Sequence, residues 1–430
     1  MRVLMFGWEF PPHIAGGLGT ACEGIVKGLA HNGVESIFVM PKASGDEDQS
    51  ATRIINASDV AVRNVSNTVD EFLDKVKFIH VDSNLVPYSD PDEYFDAIEK
   101  MKKLRQTSTT IGFGQKFNFS GKYGAGLLEE VSRYAQVGGT IAMEHIDEFD
   151  IIHAHDWLTY LAGIAAKELS GKPLVVHVHA TSFDRGTDDM VDSRVYAIEK
   201  RGMEAADRVV TVSDLTRNIV INKYGIDPSK VVTVHNAVDF SGKENIQVKR
   251  GISDKVVTFL GRITFQKGPE YFIDAAAKVL KRTKNVRFVM AGSGDMMHKA
   301  IRQVARLGIS DRFHFTGFLR GKEVQEMFAL SDVYIMPSVS EPFGISPLEA
   351  MRTNVPSIIS HQSGAAEVLK YALKVDFWDV DALADDIYAL VNYPALSKFA
   401  SQQGFDEVNS LKWDNATAKL KKVYESVLNK

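Results

Sequence analysis

Short apolar runs rich in Val, Ile and Phe alternate along this chain with stretches of helical period, which predicts α/β units built around parallel sheets. The first unit opens with the strand Val3-Leu4-Met5-Phe6-Gly7. A loop over 8–19 leads into a helix that runs to about His31, where Asn32-Gly33 stops it. Thr20 and Glu23 have capping-box spacing at the start of that helix. Ile37-Phe38-Val39-Met40 is the next strand. Residues 41–148 are less regular and hold the acidic loop Ser44-Gly45-Asp46-Glu47-Asp48 and a glycine- and aromatic-rich segment at 111–126. Regularity returns with the strand Ile151-Ile152-His153-Ala154-His155 and a helix opening at Asp156. Strands at 174–179, 208–212 and 231–234 complete the first series.

A polar, charged stretch at 239–254 breaks the pattern and reads as a linker. A second βα series begins at Val256-Val257-Thr258-Phe259-Leu260, with further strands at 286–291, 313–315, 333–336 and 357–360. The pattern therefore divides into a first domain at 1–240 and a second at 250–412. The length of 430 residues suits two domains of roughly 200 each. No short repeat or low-complexity tract interrupts either series.

Composition narrows the class. Apolar residues make up 45% of the chain, enough for two full cores. The 50 basic and 55 acidic residues leave a formal charge of −5, so nothing points to nucleic acid or an anionic membrane as partner. The single cysteine, Cys22, excludes a disulfide framework and fits a reducing cytoplasm. Met1-Arg2 runs straight into the first strand, and no apolar stretch is long enough to span a bilayer. A cytoplasmic location without an integral membrane segment is expected, and the oligomeric state is left open.

In parallel α/β sheets, ligands bind beyond the carboxyl ends of the strands, so the residues just after each strand carry the information. After the first strand, the run ending in Gly16-Gly17-Leu18-Gly19 leads into a helix amino terminus. Glycines there let a ligand approach backbone N–H groups, and the helix dipole favours an anion; a plain tight turn is the structural alternative. The run is not a dinucleotide fingerprint, because Cys22 stands where a third glycine would fall. In the second domain, Gly261-Arg262-Ile263-Thr264-Phe265-Gln266-Lys267-Gly268-Pro269 follows a strand and starts a helix. Two cations beside a positive dipole end make a diphosphate site. Gly292-Ser293-Gly294-Asp295 repeats the strand-end pattern more weakly.

The most specific constellation spans 337–351. Glu341 lies in the loop after a strand, and Glu349 in the first turn of the next helix, with Ser346 as N-cap and Pro347 first in the helix. Backbone N–H groups near Gly344, Ile345 and Ser346 face a phosphate in this reading, with Glu341 beside a sugar and Glu349 beside a ribose. Capping-box spacing between Ser346 and Glu349 offers Glu349 a structural role as well. His153 with His155, and His177 with His179, form same-face pairs on two strands, so each pair could chelate. No cysteine clusters with them, and buried neutral imidazoles bonded to backbone are common, so no metal site is expected. His155, beside Asp156, is the histidine best placed to reach a ligand. Aromatics and glycines interleave over 113–123, and Phe119 and Tyr123 are the candidate platforms for an acceptor sugar, with packing beneath an irregular loop as the alternative.

These residues together resemble the retaining GT-B glycosyltransferases, particularly the large family containing bacterial sugar transferases and the glycogen and starch synthases. The resemblance covers nearly the whole chain. Its anchors are Glu9 with Gly16-Gly17-Leu18-Gly19, His153-Ala154-His155-Asp156-Trp157, Gly261-Arg262 with Lys267, and Glu341 with Glu349. It implies two Rossmann-like parallel-sheet domains facing a central cleft, the first holding the acceptor and the second a nucleotide-sugar donor. It implies that Arg262 and Lys267 bind the diphosphate, that Glu341 lies near the transferred sugar and that Glu349 holds the ribose. His155 and Asn236 match sugar-contacting residues, and the helix at 413–430 is expected to cross back onto the first domain.

The start Phe6-Gly7-Trp8-Glu9-Phe10-Pro11-Pro12 and His179-Ala180-Thr181 are similar to the glycogen and starch synthases. The implied reaction moves glucose from UDP-glucose or ADP-glucose to a glucan or oligosaccharide acceptor, without a cofactor or a catalytic metal. The chain departs from the bacterial ADP-glucose enzymes in one respect: His13-Ile14-Ala15, with no lysine, precede Gly16. That leaves UDP-glucose and other donors open. The alternatives are transfer of another sugar to a small or lipid-linked acceptor, a nucleotide-sugar epimerase, and a non-enzymatic carbohydrate-binding protein.

Overall fold

The computed structural model describes residues 1–13, 16–64, 66, 69, 71–72, 114–124, 126–186, 191–238 and 248–429. Ile14, Ala15, Phe113 and residues 239–247 of the linker lie outside the described residues. The chain divides into two compact units: Met1–Phe183, Thr187–Ala237 and Trp413–Lys430 form the first, and Asp184–Gly186 with Val238–Lys412 the second. Among the described residues, no helix is long and apolar enough to cross a membrane.

The first unit contains β1 (Arg2–Phe6), α1 (Gly17–His31), β2 (Glu35–Met40), β3 (Arg53–Asn56), α2 (Leu127–Glu144), β4 (Ile151–His155) and α3 (Trp157–Ser170). It continues with β5 (Leu174–Val178), α4 (Ser193–Ala205), β6 (Arg208–Thr211), α5 (Asp214–Tyr224) and β7 (Val231–Thr233). Its sheet is parallel in every pairing, in the order β3-β2-β1-β4-β5-β6-β7. Because side chains alternate along a strand, Leu4, Phe6, Val39, Ile152, Val176 and Val209 enter one core, and Val3, Met5, Phe38, Ile151, Val175 and Val210 the other. Burial on both faces is why these strands read as unbroken apolar runs.

The second unit begins with β8 (Lys255–Leu260), α6 (Pro269–Arg282), β9 (Val286–Ala291), α7 (Met297–Arg306), β10 (Phe313–Gly317) and α8 (Lys322–Leu330). Then come β11 (Val333–Met336), α9 (Ser346–Arg352), β12 (Ser357–Ser360), α10 (Ala365–Val368), β13 (Leu373–Val375), α11 (Val380–Asn392) and α12 (Pro394–Val408). Its parallel sheet has the order β10-β9-β8-β11-β12-β13. The aromatics Phe259, Phe272, Phe288 and Phe313 pack together in its core. In each sheet the strand order reverses once, between β1 and β4 and between β8 and β11. These are the switch points where such folds open a crevice for ligands.

After the second unit the chain returns as α13 (Trp413–Leu428) and packs on α1. Gly24 and Gly28, one helical turn apart on α1, permit the contact. A Cβ at Gly24 would lie 2.2 Å from the Trp413 ring, and one at Gly28 would lie 2.7 Å from Oγ1 of Thr417. Lys421 Nζ donates to the carbonyl of Asn32 at 2.9 Å, tying the end of α1 to the same helix.

Three sequence expectations need correction. Helix α1 begins at Gly17 with Gly16 as N-cap and no side-chain cap, so Thr20 and Glu23 form no capping box there. Residues 41–148 contain β3 and the eighteen-residue α2. Leu127, Val131, Tyr134, Ala135, Ile141 and Ala142 have helical spacing and are buried; Gly138 and Gly139 within that run mask it in the sequence. These glycines pack against Ala162 and Leu169 of α3, where a Cβ would come within 2.8 Å of either side chain.

The third correction concerns Phe119. Its side chain is 1% exposed and its ring meets Tyr134 edge-on at 6.0 Å, with Phe117 at 6.3 Å. Those aromatic faces are covered by protein, so Phe119 is not a platform for an acceptor sugar. Tyr123 is half-buried against the same core.

Two variants check this packing. Gly24→Val should lower the thermal midpoint, since overpacking a tight contact costs about 1–3 kcal/mol. Phe119→Ala should cost about 3–5 kcal/mol in denaturant unfolding, as for other buried phenylalanines. A Phe119→Ala protein of unchanged stability would contradict the enclosed position of this ring.

Candidate active site at the sheet switch points

At the second unit's switch point, β8 ends in Leu260 and passes into Gly261 and Arg262. This loop is stitched to the one after β9: Ile263 N donates to Ser293 O at 2.8 Å, and Met296 N to Ile263 O at 3.0 Å. A Cβ at Gly292 would stand 1.8 Å from the carbonyl of Gly261, which gives the Gly292-Ser293-Gly294 motif a packing role. Arg262 Nη2 reaches Oε1 of Gln266 at 3.4 Å. Lys267 closes a short 3-10 turn, Phe265–Lys267. Gly268 then turns the chain at φ 65° into α6, with Pro269 in the first turn.

Gly268 also brings that turn against the exit of β11, since a Cβ there would lie 2.1 Å from Pro337 O. Val339 N donates to Gln266 O at 2.8 Å across the same approach. The result is an ion pair between Lys267 Nζ and Oε2 of Glu341, with Glu341 only 6% exposed. Ser338 Oγ donates to the same carboxylate oxygen at 3.3 Å. The Glu341 backbone is pinned from the other side, where its N–H donates to Gln362 O at 2.9 Å and its carbonyl accepts from Gly364 N at 2.9 Å.

Beyond Glu341, Gly344 adopts φ 92°, and Gly344, Ile345 and Ser346 are half-buried at the start of α9. The N-cap is Ile345 and no side chain caps the helix, so the expected Ser346–Glu349 capping box does not form. Glu349 stays in the first turn, its N–H bonded to Ile345 O at 3.1 Å. Beneath them, the buried hydroxyl of Tyr334 donates to Leu260 O at 3.3 Å, joining β11 to β8. Burial pushes its phenol up, and the Glu341 and Glu349 carboxylates push the same way against a hydrogen bond with Ser346. Tyr334 and Ser338 were not singled out in the sequence, where a strand tyrosine and a loop serine carry no distinguishing signal.

In the first unit the switch point lies between β1 and β4. Glu9, buried after β1, accepts from the N–H of Gly19 at 3.1 Å through Oε1. A protein carboxylate therefore already serves the first turn of α1, next to Gly16 and Gly17. After β4, Asp156 sits at φ 58° and its Oδ1 accepts from His179 N at 2.7 Å and Ala180 N at 3.3 Å. Asp156 thus clamps the exit of β5 to that of β4. Asn236 is buried just after β7.

His155 is fully enclosed, with Nδ1 at 2.9 Å from His179 Nε2. His153 Nδ1 meets the hydroxyl of Tyr424, from α13, at 2.7 Å. Burial holds all four imidazoles toward the neutral form, His179 down to about 3. The partners of Nδ1 of His155 and Nδ1 of His153 are thus another imidazole and a tyrosine.

Comparison with known proteins gives concordant matches. The family described as Glycosyltransferase Family 4 matches residues 127–241, and the family described as Glycosyl transferases group 1 matches residues 242–405. An uncharacterized glycosyltransferase of Methanocaldococcus jannaschii is 29% identical over 449 residues, covering 99% of this chain and 98% of the relative. A glycogen synthase of Mycobacterium tuberculosis is 22% identical over 431 residues, covering 99% and 94%. The crystal structure of HepE from Anabaena in complex with UDP-glucose superposes with a TM-score of 0.65 at 16% identity, covering 99% of this chain and all of the other. With two such family matches in tandem and two parallel sheets that each reverse order once, the chain is a glycosyltransferase built of two parallel-sheet domains as in the GT-B fold, and residues 242–405, which carry Arg262, Lys267 and Glu341, are similar to the group 1 family.

Proposed function

We propose that this chain is a retaining glucosyltransferase that moves glucose from a nucleoside diphosphate glucose, UDP-glucose first among them, to a glucan. The observation that carries the reading is the constellation at the β8–β11 switch point. There, Arg262 and Lys267 follow one strand, and Glu341, Gly344 and Glu349 follow the other. The glycogen synthase relative supports glucose and a glucan acceptor, and the HepE structure with UDP-glucose supports a uridine donor. The absence of a lysine before Gly16 also favours UDP-glucose over ADP-glucose.

In this reading the bond from the sugar's anomeric carbon to the diphosphate oxygen breaks while the acceptor hydroxyl oxygen bonds to that carbon. Negative charge grows on the leaving diphosphate, where Arg262, Lys267 and the N–H groups near Gly344, Ile345 and Ser346 stabilise it. Positive charge grows on the sugar, beside Glu341. Without ligand, Lys267 and Glu341 neutralise one another; a diphosphate gives Lys267 a second anion and turns the carboxylate toward the sugar. Glu349 binds the ribose. Retaining hydrolases place a second carboxylate as nucleophile on the opposite face. No such partner for Glu341 was picked out in the sequence, so attack on the leaving-group face is proposed, with the departing phosphate oxygen taking the acceptor proton.

The testing experiment offers UDP-, ADP- and GDP-glucose with a glucan, scoring nucleotide release and the anomer formed. Transfer with retention from UDP-glucose is expected, and an inverted product would overturn the mechanism. Arg262→Ala and Lys267→Ala should each lower kcat by about two orders of magnitude, the usual effect of deleting one donor to a developing anion. Near-normal turnover in both variants would remove the diphosphate assignment.

A further inference from the structure

Helix α7 of the second unit, Met297–Arg306, carries Lys299, Arg302 and Arg306 and no carboxylate. Each of α6, α8, α9, α10, α11 and α12 carries at least one. The chain as a whole has 55 acidic residues against 50 basic ones. That near-balance therefore conceals one helix of a single sign.

Helical spacing sorts its side chains into three faces. Ala300 and Val304, one turn apart, are buried in the core. Lys299 and Gln303 turn toward α6, where Lys299 Nζ pairs with Oε1 of Glu270 at 2.6 Å and Gln303 Nε2 donates to Oδ1 of Asp274 at 2.8 Å. The carboxylates that α6 offers are taken up on that side. His298, Ile301, Arg302, Ala305 and Arg306 have the spacing of one outward face, and all five are exposed. Neither Arg302 nor Arg306 forms an ion pair among the described residues. Ile301 is 44% exposed on this face, and Leu307, which ends the helix, is 41% exposed. Asp295 and Asp311 flank the helix without lying on it, and Asp311 pairs with Arg312 at 3.5 Å.

We propose that this outward face of α7 docks on an anionic lipid surface. Two unpaired guanidinium groups attract anionic headgroups, and each basic side chain near such a surface strengthens partitioning about fivefold. Arginines alone would serve any polyanion. Ile301 and Leu307 narrow the class, because aliphatic side chains standing among arginines enter the headgroup–acyl boundary of a bilayer and gain nothing on a phosphodiester backbone. A face about 15 Å long with so few apolar groups docks reversibly rather than as an anchor. The inference goes beyond the proposed transfer reaction and does not depend on it, since no residue of this face belongs to the constellation around Glu341.

Vesicles of about one-third phosphatidylglycerol in phosphatidylcholine are the probe. The wild-type chain should cosediment with them at low salt, be released at high salt, and not cosediment with pure phosphatidylcholine vesicles. Arg302→Glu combined with Arg306→Glu should lower the partition coefficient about 25-fold or more. Ile301→Ser should lower it about threefold and leave the salt dependence intact. All three positions are exposed, so the thermal midpoints should match that of the wild type, which separates lost docking from a lost fold. A wild-type chain that ignores anionic vesicles at low salt would overturn the proposal, as would undiminished binding by the charge-reversed variant. Duplex DNA is the competing ligand: binding as tight as to the vesicles, with Ile301→Ser affecting neither, would replace the bilayer by a generic polyanion and overturn the lipid assignment equally.

Discussion

Gly268 and the carbonyl of Pro337 lie so close that a Cβ at 268 would stand 2.1 Å from that oxygen, and the second unit's charged constellation depends on this approach. The left-handed turn at φ 65° starts α6 and carries Lys267 inward against the exit of β11. There it meets Glu341, and the two charges share a site that neither would occupy alone. A buried carboxylate without a partner is costly, and removing one member of such a pair leaves the other uncompensated. A larger residue at 268 would therefore change which charges face each other at the switch point, as well as straining one turn.

The first unit solves a related problem with fixed carboxylates. Glu9 serves a backbone N–H of α1, and Asp156 serves two from the loop after β5. The loop after β1 is thereby held by its own glutamate, and the loop after β5 by a side chain from the end of β4. Gly24 and Gly28 set the other constraint, since without Cβ atoms on that face α13 can lie against α1 with Trp413 between. A helix far along the chain thus completes the core beneath β1 and supplies Tyr424 to the histidines.

The two switch points differ in electrostatic character. In the second unit, charges meet in pairs around Glu341, and the buried phenol of Tyr334 is kept protonated beside them. In the first, four imidazoles are kept neutral by burial and lie tilted or stacked against one another at the ends of β4 and β5. Neutral imidazole both donates and accepts a hydrogen bond, while paired charge is the form that responds to an incoming anion.

Read alone, the sequence determined the α/β class, the two βα series and the loops that carry Arg262, Lys267, Glu341 and Glu349. It could do so because those features are local: strands covered on both faces are unbroken apolar runs, and parallel sheets put ligand-edge residues directly after each strand. It also marked all four histidines as same-face pairs, since alternation is local as well. Glycine-interrupted α2 was not legible, because its helix is stabilised by close packing on α3 rather than by propensity. Nor were the caps at Thr20 and Ser346, where the backbone turned into the helix earlier than the spacing suggested. Only the tertiary structure decided that Phe119 lies in the core, that Lys267 faces Glu341, and that His153 meets Tyr424 from a helix 271 positions away. Each of these is a contact between distant segments, set by how two sheets stack their helices, and no local pattern encodes it.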